Sequence, residues 1–233
     1  MVKRLNVILD IDETFVHYIK KVNWPAVPED YRSKYEMFDD KFVLRPHMDT
    51  FMNFLFDNCA TVNLWTWSDM EYAEGVAKYL AKRNPRWKIA NIWADEDAAT
   101  AGDLHGSDKD LNYIWYEKKM FKPCDTILID DLPKNTINDS NYKNSINIPP
   151  FIPEKNPAKF LQDDVLLKVI KMLQDVMNKS DFCKEGDLPF PFPTATLQNP
   201  NKIGGQRRKT IRKRIGKKHR NTISLNRNRF YAK

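Results

Sequence analysis

Two aspartates, Asp10 and Asp12, follow the apolar residues Val7-Ile8-Leu9 near the amino terminus. A short apolar run predicts a buried strand, and side chains two residues apart point to the same side of a strand. We therefore expect both carboxylates at the carboxyl end of this strand, where open α/β sheets bind their ligands. Their mutual repulsion is costly unless a metal or another cation offsets it. Taken alone, Asp-x-Asp is equally consistent with a solvated strand end or a turn.

Further polar residues that could complete such a site follow later apolar runs. Thr66 ends one strand-like run, the pair Asp130-Asp131 ends another, and Lys109 lies between them. Each has a simpler interpretation when taken alone: Lys109 as a surface charge, Thr66 as a β-forming residue, and Asp131 as a turn cap. Their order along the chain and their placement after strands favour a common site.

This ordered set resembles the four motifs of the haloacid dehalogenase superfamily of phosphotransferases. Within that superfamily, the segment Leu9–His17 is similar to the opening motif of the RNA polymerase II carboxyl-terminal-domain phosphatases, the NLI-interacting-factor-like family. Further segments follow in the family's order: Leu44-Arg45-Pro46, Leu64-Trp65-Thr66-Trp67-Ser68 before Tyr72-Ala73, Lys109-Asp110-Leu111 and Ile129-Asp130-Asp131-Leu132-Pro133. The resemblance extends over residues 4–176, and the ordered set is far more specific than a single Asp-x-Asp-x-Thr.

The resemblance implies a catalytic role for most residues of the set. Asp10 would attack phosphorus as the nucleophile, and Asp12 would protonate the leaving oxygen and then deprotonate the attacking water. Thr66 would bind a phosphoryl oxygen, and Lys109 would neutralise developing charge while keeping Asp10 ionised. Thr14 would orient the loop rather than react.

The resemblance also implies a magnesium site, since a hard cation prefers carboxylate, carbonyl, water and phosphate oxygens. Asp10 would provide a side-chain oxygen, Asp12 its backbone carbonyl, and Asp130 or Asp131 the remaining protein ligand. Many relatives have Asp-Asn at this last position, and Asp-Asp is a familiar variant. The sequence therefore does not decide which of Asp130 and Asp131 contacts the ion.

We predict a magnesium-dependent phosphatase, a phosphoric monoester hydrolase, that acts on phosphoserine or phosphothreonine proteins. Two alternatives stay open: a phosphatase for nucleotides or nucleic-acid ends, and a nucleic-acid-binding scaffold with a vestigial site. The intact motif residues argue against the scaffold, because loss of catalysis usually removes the nucleophile first. One segment, Ile89–Asp97, departs from the family, since its three acidic residues stand where close relatives carry an arginine. These charges would repel an acidic phosphopeptide.

The elements that would position these residues alternate along the chain. Strand-like runs lie at about 4–10, 61–66, 89–94, 126–130 and 145–148. Helical patterns separate them, which is typical of a mostly parallel sheet covered on both faces. The predicted fold class is α/β, a Rossmann-like three-layer sandwich of the haloacid dehalogenase type. Residues 18–42 predict a long loop or small flap that is too short for a full cap domain.

Three helices are predicted from spacing and capping. The first lies within Arg45–Asp57, and the second begins at a capping-box pattern, Ser68–Glu71, and continues to about Lys82. The third is the last helix, which opens at Asn156-Pro157. Its predicted buried stripe is Phe160, Leu161, Val165, Val169, Leu173 and Val176.

Charge separates the chain into an acidic body and a basic end. Residues 1–187 contain 25 Lys and Arg against 31 Asp and Glu, whereas residues 202–233 contain 13 Lys and Arg and no acidic residue. We predict a phosphatase domain over 1–187, a Pro-rich linker over 188–201 and a basic, disordered tail over 202–233. The tail is typical of a solvated end, a nuclear-import signal or a nucleic-acid-binding arm, and we favour the last.

Cysteine use and hydropathy bear on the compartment. Cys59, Cys124 and Cys183 show no paired spacing, which favours a reducing compartment over a disulfide framework or a zinc site. The sequence contains neither a run of about 18 apolar residues nor a signal-peptide pattern. We expect an intracellular protein of the nucleus or cytoplasm without a membrane partner. The asparagine- and lysine-rich composition resembles that of proteins from large DNA viruses, for which the compartment would be that of the host cell.

Overall fold

The computed structural model describes residues 5–19, 27–38, 42–138, 140–141 and 143–178. The chain divides into two units, Met1–Gln198 and Asn199–Lys233, and all described residues lie in the first. The linker predicted at 188–201 and the tail predicted at 202–233 lie outside the described residues. The domain boundaries of the sequence analysis therefore stay predictions.

The described residues form eight strands and seven α-helices. The strands are β1 (Asn6–Leu9), β2 (Val16–Tyr18), β3 (Met37–Phe38), β4 (Phe42–Leu44), β5 (Thr61–Trp65), β6 (Ile92–Trp93), β7 (Thr126–Asp130) and β8 (Ser145–Asn147). The helices are α1 (Glu29–Arg32), α2 (Met48–Asn58), α3 (Met70–Arg83), α4 (Asp95–His105), α5 (Pro133–Thr136), α6 (Pro157–Leu161) and α7 (Val165–Met177).

A parallel sheet of five strands, in the order β6-β5-β1-β7-β8, forms the centre of the domain. Alternate side chains of β1 are buried on opposite faces of this sheet. Val7 and Leu9 pack in one apolar cluster with α2, α3 and α7, whereas Ile8 packs in another with α4 and the π-helical turn Tyr113–Glu117. Burial on both faces is typical of parallel sheets and explains why these strands are nearly continuous apolar runs. The predicted three-layer α/β fold is confirmed.

The register of the three central strands aligns their carboxyl ends. Leu9 of β1 pairs with Leu64 of β5 on one side and with Ile129 of β7 on the other. The residues that follow these positions therefore leave the sheet at the same edge. This edge carries the polar residues that the sequence analysis grouped into one site.

A second, smaller sheet forms around the segment 18–42 that was predicted as a long loop or small flap, with two of its three strands at the borders of that segment. Its strands β2, β4 and β3 are antiparallel and lie in that order. Helix α1 lies between β2 and β3 in the sequence, while residues 20–26 and 39–41 are outside the described residues. The small sheet begins at β2, which follows the loop that carries Asp10 and Asp12 at the end of β1.

Two helix predictions were wrong in detail. The cap of α3 is Asp69 rather than Ser68, because Asp69 Oδ1 accepts the N–H of Tyr72 at 2.8 Å. The predicted last helix is two helices, α6 and α7, separated at 162–164. Its break has a local cause: Asp163 Oδ1 accepts the N–H of Val165 at 3.0 Å and also binds Arg45. The first two residues of the predicted stripe therefore belong to a different apolar cluster, that of Ile19, Tyr35, Val43 and Phe151.

The cysteines differ in part from the expectation of reduced thiols. Cys59 is a buried free cysteine, whereas Cys124 is disulfide-bonded. Spacing along the chain did not predict this bond, because pairing depends on distance in the fold. Within the described residues, no helix combines the length and the apolar character that crossing a membrane requires.

Candidate active site

A buried lysine joins the ends of β1 and β7. Asp10 directly follows β1, Asp130 ends β7, and the N–H of Asp10 donates to the carbonyl of Ile129 at 2.9 Å. Lys109 Nζ donates to Asp10 Oδ1 at 2.5 Å and to Asp130 Oδ2 at 2.9 Å. Only 1% of Lys109 is exposed. Lys109 is therefore not a solvated surface charge, and its ammonium group stabilises two carboxylates as anions.

Asp131 adds a third carboxylate to this buried group. One oxygen from each of Asp10, Asp130 and Asp131 lies within 4.8 Å of the others. Burial and mutual repulsion raise the pKa of Asp10 to about 7 and that of Asp131 to about 9, although Lys109 lowers both. Burial lowers the pKa of Lys109, but the charges of Asp10 and Asp130 raise it by more. Three carboxylates around one ammonium leave excess negative charge, and hard oxygen donors with such a charge fit Mg²⁺.

Several hydrogen bonds hold the carboxylate of Asp130. Asp130 Oδ1 accepts the N–H of Leu132 at 2.7 Å, and its Oδ2 accepts Asn135 Nδ2 at 2.9 Å in addition to Lys109. Both oxygens of Asp130 are thus bound to protein donors. This network fixes the orientation of Asp130 and, through it, the position of the lysine.

The Asp12 carboxylate contacts three hydroxyl groups. Tyr72 Oη donates to Asp12 Oδ1 at 2.7 Å, whereas Ser68 Oγ and Thr66 Oγ1 donate to Oδ2 at 3.1 and 3.3 Å. Burial raises the pKa of Asp12, and the hydrogen bonds from Tyr72 and Ser68 partly offset this. Within the described residues, the candidate metal group does not include the Asp12 carboxylate. The side chain is thereby separate from the metal-ligand set, as a proton-transfer group needs to be.

Thr14 and Arg45 hold the loop between β1 and β2. Thr14 Oγ1 donates to Asp10 Oδ2 at 3.1 Å, which matches its predicted orienting role. Arg45 is buried, donates to the carbonyl of Thr14 at 2.9 Å, and forms a bidentate pair with Asp163 at 3.1 and 2.9 Å. It also donates to the carbonyl of Pro149 at 3.0 Å. Arg45 is therefore a structural residue that connects the loop between β1 and β2 to the segment before α7.

Comparison with known proteins identifies the family. The family model described as NLI interacting factor-like phosphatase matches residues 5–183. The chain belongs to this family. The matched range contains every residue of the candidate site, and the family's description names its reaction class, that of a phosphatase.

Solved structures give a second comparison. The RNA polymerase II CTD phosphatase Fcp1 of fission yeast, in a variant bound to beryllium fluoride, has a TM-score of 0.51 at 14% identity, covering 74% of this chain and 62% of that chain. Another Fcp1 structure, described as an essential RNA polymerase II CTD phosphatase, has a TM-score of 0.45 at 17% identity, covering 82% of this chain and 56% of that chain. The first likeness shows a shared fold, and this chain spans only part of the length of Fcp1. A comparison with curated proteins gave no match.

Two contacts of this phosphatase-family site were not predicted from the sequence. Ser68 was interpreted as a helix cap, and Tyr72 was noted as a family residue without a role, yet both donate to Asp12. A signal for Ser68 was present, since it lies two residues after Thr66 at the end of the same strand. Tyr72 reaches the site from the first turn of α3, and its orientation follows from the Asp69 cap.

A buried asparagine positions the backbone of Lys109. Lys109 has a φ of 56°, in the left-handed region that is unfavourable for residues other than glycine. Asn141 is fully buried; its Nδ2 donates to the carbonyl of Lys109 at 2.8 Å and its Oδ1 accepts the N–H of Leu111 at 2.9 Å. These bonds offset the cost of the unusual conformation. The sequence gives no sign of this contact, because the partners lie 32 and 30 residues away.

The three acidic residues that depart from the family pattern begin helix α4. The N–H of Asp95 donates to the carbonyl of Ser68 at 3.1 Å, so this helix start lies beside the loop that contacts Asp12. Asp97 points into the fold, where it accepts the hydroxyl of Tyr113 and the ammonium of Lys118, both at 2.9 Å. The predicted repulsion of acidic substrates therefore rests on Asp95 and on its exposed neighbour Glu96.

Proposed function

We propose that this protein hydrolyses phosphate monoesters through an aspartyl-phosphate intermediate formed on Asp10. The observation that carries the proposal is the contact from Lys109 Nζ to Asp10 Oδ1 at 2.5 Å inside a buried site. An ammonium at this position favours the ionised nucleophile and neutralises charge on the transferring phosphoryl group. Membership in the NLI interacting factor-like phosphatase family supports the same reaction.

Each remaining residue has a role that its contacts support. Asp12 would act as the general acid for the leaving oxygen and then as the general base for water, because its carboxylate is held by hydroxyl groups beside the nucleophile. Thr66 would donate to a phosphoryl oxygen, and Thr14 would keep Asp10 oriented. Thr66 donates to Asp12 in this structure, so its hydroxyl would turn from Asp12 to the phosphoryl oxygen when substrate binds.

We expect Mg²⁺ to be held by the side chain of Asp10, the backbone carbonyl of Asp12 and the carboxylate of Asp130 or Asp131. Both carboxylates belong, with Asp10, to the buried group that could hold a metal ion. When bound, Mg²⁺ supplies positive charge opposite the non-bridging phosphoryl oxygens.

A phosphoserine or phosphothreonine protein is the proposed substrate class. The family supports it, and so does the fold shared with Fcp1, whose structure is described as that of an RNA polymerase II CTD phosphatase. A nucleotide or nucleic-acid end is the second candidate, because residues 202–233 carry 13 basic and no acidic side chains. The scaffold with a vestigial site is disfavoured by the complete set of Asp10, Asp12, Thr66 and Lys109.

A parallel turnover assay tests this proposal. Full-length protein with Mg²⁺ is given phosphoserine and phosphothreonine peptides, nucleotides, phosphate-ended oligonucleotides and an aryl phosphate. Asp10→Asn should abolish turnover of every substrate that the wild type hydrolyses, because it removes the nucleophile's charge without removing volume. Asp49→Asn is a matched control, since Asp49 is exposed on α2 and pairs with Arg83. Excess chelator should stop the reaction, Mg²⁺ should restore it, and Ca²⁺ should inhibit it.

The outcomes separate the parts of the proposal. Near-wild-type activity of Asp10→Asn would refute the aspartyl-phosphate mechanism, and full activity in excess chelator would refute the metal. Turnover confined to nucleotides or oligonucleotides would replace the phosphoprotein assignment with the second candidate. The absence of turnover on every substrate would favour the scaffold.

A further inference from the structure

The hydrogen bonds of the two Asp12 oxygens are unequal. Oδ1 accepts the phenol of Tyr72 at 2.7 Å, the usual distance for a well-formed bond from a hydroxyl donor. Oδ2 accepts the alcohols of Ser68 and Thr66 at 3.1 and 3.3 Å. One oxygen is therefore tightly held, whereas the other has two longer bonds to hydroxyl groups that can rotate and exchange donor and acceptor roles.

Tyr72 is itself held firmly. Its N–H is bound by the Asp69 cap at 2.8 Å, which sets the first turn of α3. Its ring packs against Phe42 of β4, with the ring centroids 5.5 Å apart. The hydroxyl group thus reaches Asp12 from a side chain that both a helix start and the small antiparallel sheet support. A phenol fixed in this way can restrict a carboxylate far more than a freely rotating alcohol can.

We propose that Tyr72 is a positioning residue for acid–base catalysis: it anchors Asp12 Oδ1 so that Oδ2 is the atom that exchanges protons with the substrate. The inference rests on the proposed phosphatase function. Oδ2 is the oxygen beside Thr66, the residue proposed to bind a phosphoryl oxygen. Without the phenol, the carboxylate of Asp12 would rotate about its Cβ–Cγ bond. Oδ2 would then face the leaving oxygen of the substrate for only part of the time.

The reaction is balanced in two steps. First, an Asp10 carboxylate oxygen forms a bond to phosphorus while the bond from phosphorus to the leaving oxygen breaks, and that oxygen keeps the electron pair and receives the proton of Asp12 Oδ2. Second, water attacks phosphorus and gives its proton to Oδ2, while the bond from phosphorus to Asp10 breaks and returns its electron pair to the carboxylate. Tyr72 keeps its own proton throughout and acts only through Asp12.

The test is the dependence of turnover on the leaving group in Tyr72→Phe. A good leaving group such as p-nitrophenolate departs without much protonation, whereas phenol or an alkyl alcohol requires it. Tyr72→Phe should therefore lower kcat/KM, which reports only the steps up to departure of the leaving group, by less than about threefold on p-nitrophenyl phosphate but by about 10–100-fold on phenyl phosphate and a phosphoserine peptide. The phenylalanine ring keeps the packing against Phe42. Tyr79→Phe is the matched control, since Tyr79 lies on the same helix and its hydroxyl binds Arg83.

A second measurement asks whether the effect passes through Asp12. In the Asp12→Asn background, the added Tyr72→Phe change should alter kcat by less than about twofold, because the two residues act as one unit. An equal loss on all leaving groups, or full additivity with Asp12→Asn, would overturn the role of Tyr72 while leaving the phosphatase function intact. If the wild type turned over no member of the series, the proposed function would fail, and this inference with it.

Discussion

When a chelator has removed divalent cations, the free energy of unfolding of this protein should decrease as pH rises. The reason is the buried carboxylate cluster, in which burial raises the pKa of Asp10 from 3.8 to about 7 and that of Asp131 from 3.8 to about 9. A group whose pKa is higher in the folded state contributes its full stability below the unfolded pKa. That contribution is lost as pH rises through the folded pKa. Both aspartates therefore act in the same direction between about pH 4 and about pH 9.

The size of the stability loss follows from the pKa shift of each aspartate. For Asp10, a rise from 3.8 to about 7 corresponds to a loss of about 4 kcal/mol in the free energy of unfolding once pH exceeds 7. Asp131 acts with the same sign, but its protonation relieves repulsion on Asp10, so the two losses do not simply add. Mg²⁺ opposes the loss, since a ligand at 100 times its Kd stabilises the folded state by about 2.7 kcal/mol.

Urea denaturation at pH 5, 7 and 9, in chelator and in Mg²⁺, measures this effect. The free energy of unfolding in chelator should decrease from pH 5 to pH 9, and Mg²⁺ should recover most of the loss at the higher values. Asp10→Asn provides the control, because asparagine has the same size and does not titrate, so the difference between wild type and variant isolates Asp10. A stability in chelator that is constant or rises over this range, or that matches the profile of Asp10→Asn, would refute the reasoning.

Further predictions concern the residues around this cluster and the basic end. Lys109→Met should lower kcat by at least about 10²-fold. It should also lower the free energy of unfolding by about 3–5 kcal/mol, because it leaves buried carboxylates unpaired. An unchanged midpoint of urea denaturation would contradict this burial argument. Asn141→Ala should lower kcat about 10-fold with little change in KM, because the backbone of Lys109 loses the hydrogen bonds that support it. Steady-state kinetics that show equal changes in kcat and KM would argue against this positioning role. Arg45→Met should cost about 3–5 kcal/mol by leaving Asp163 buried and unpaired, and Arg45→Met with Asp163→Leu should recover part of this in thermal denaturation. A chain ending at Asn199 should keep aryl phosphate turnover but lose DNA affinity at ~50 mM salt; equal binding by both chains would exclude the arm.

The strands and the common edge of the site were predictable because Asp10, Thr66 and Asp130 each end or follow an apolar run, whereas Lys109 was placed by its order in the family pattern. Parallel strands that are buried on both faces leave little ambiguity in such runs. Their carboxyl ends must meet, and the pairings of Leu9 with Leu64 and Ile129 confirm that they do. The order of motifs thus contained the topology that brings Asp10, Lys109 and Asp130 together.

The contacts that support the site were not predictable, because they depend on angles and on distant partners. The Ser68 hydroxyl was a plausible helix cap, and the choice between capping and Asp12 is decided by how the chain turns between β5 and α3. Arg45 resembled a family residue of open role, and its structural function depends on Asp163, 118 residues away. The same aspartate ends the short helix α6, so one side chain explains two departures from the prediction.

The central position of β1 determines when this domain can become active during synthesis. Asp10 and Asp12 are made well before their surroundings, because β1 pairs on one side with residues 61–64 and on the other with residues 126–129. The loop that carries the aspartates is also bound by Arg45, whose carboxylate partner is Asp163. At translation rates of about 5–20 residues per second, many seconds separate the synthesis of Asp10 from that of Asp163. The candidate site therefore stays incomplete until the segment before α7 has been made.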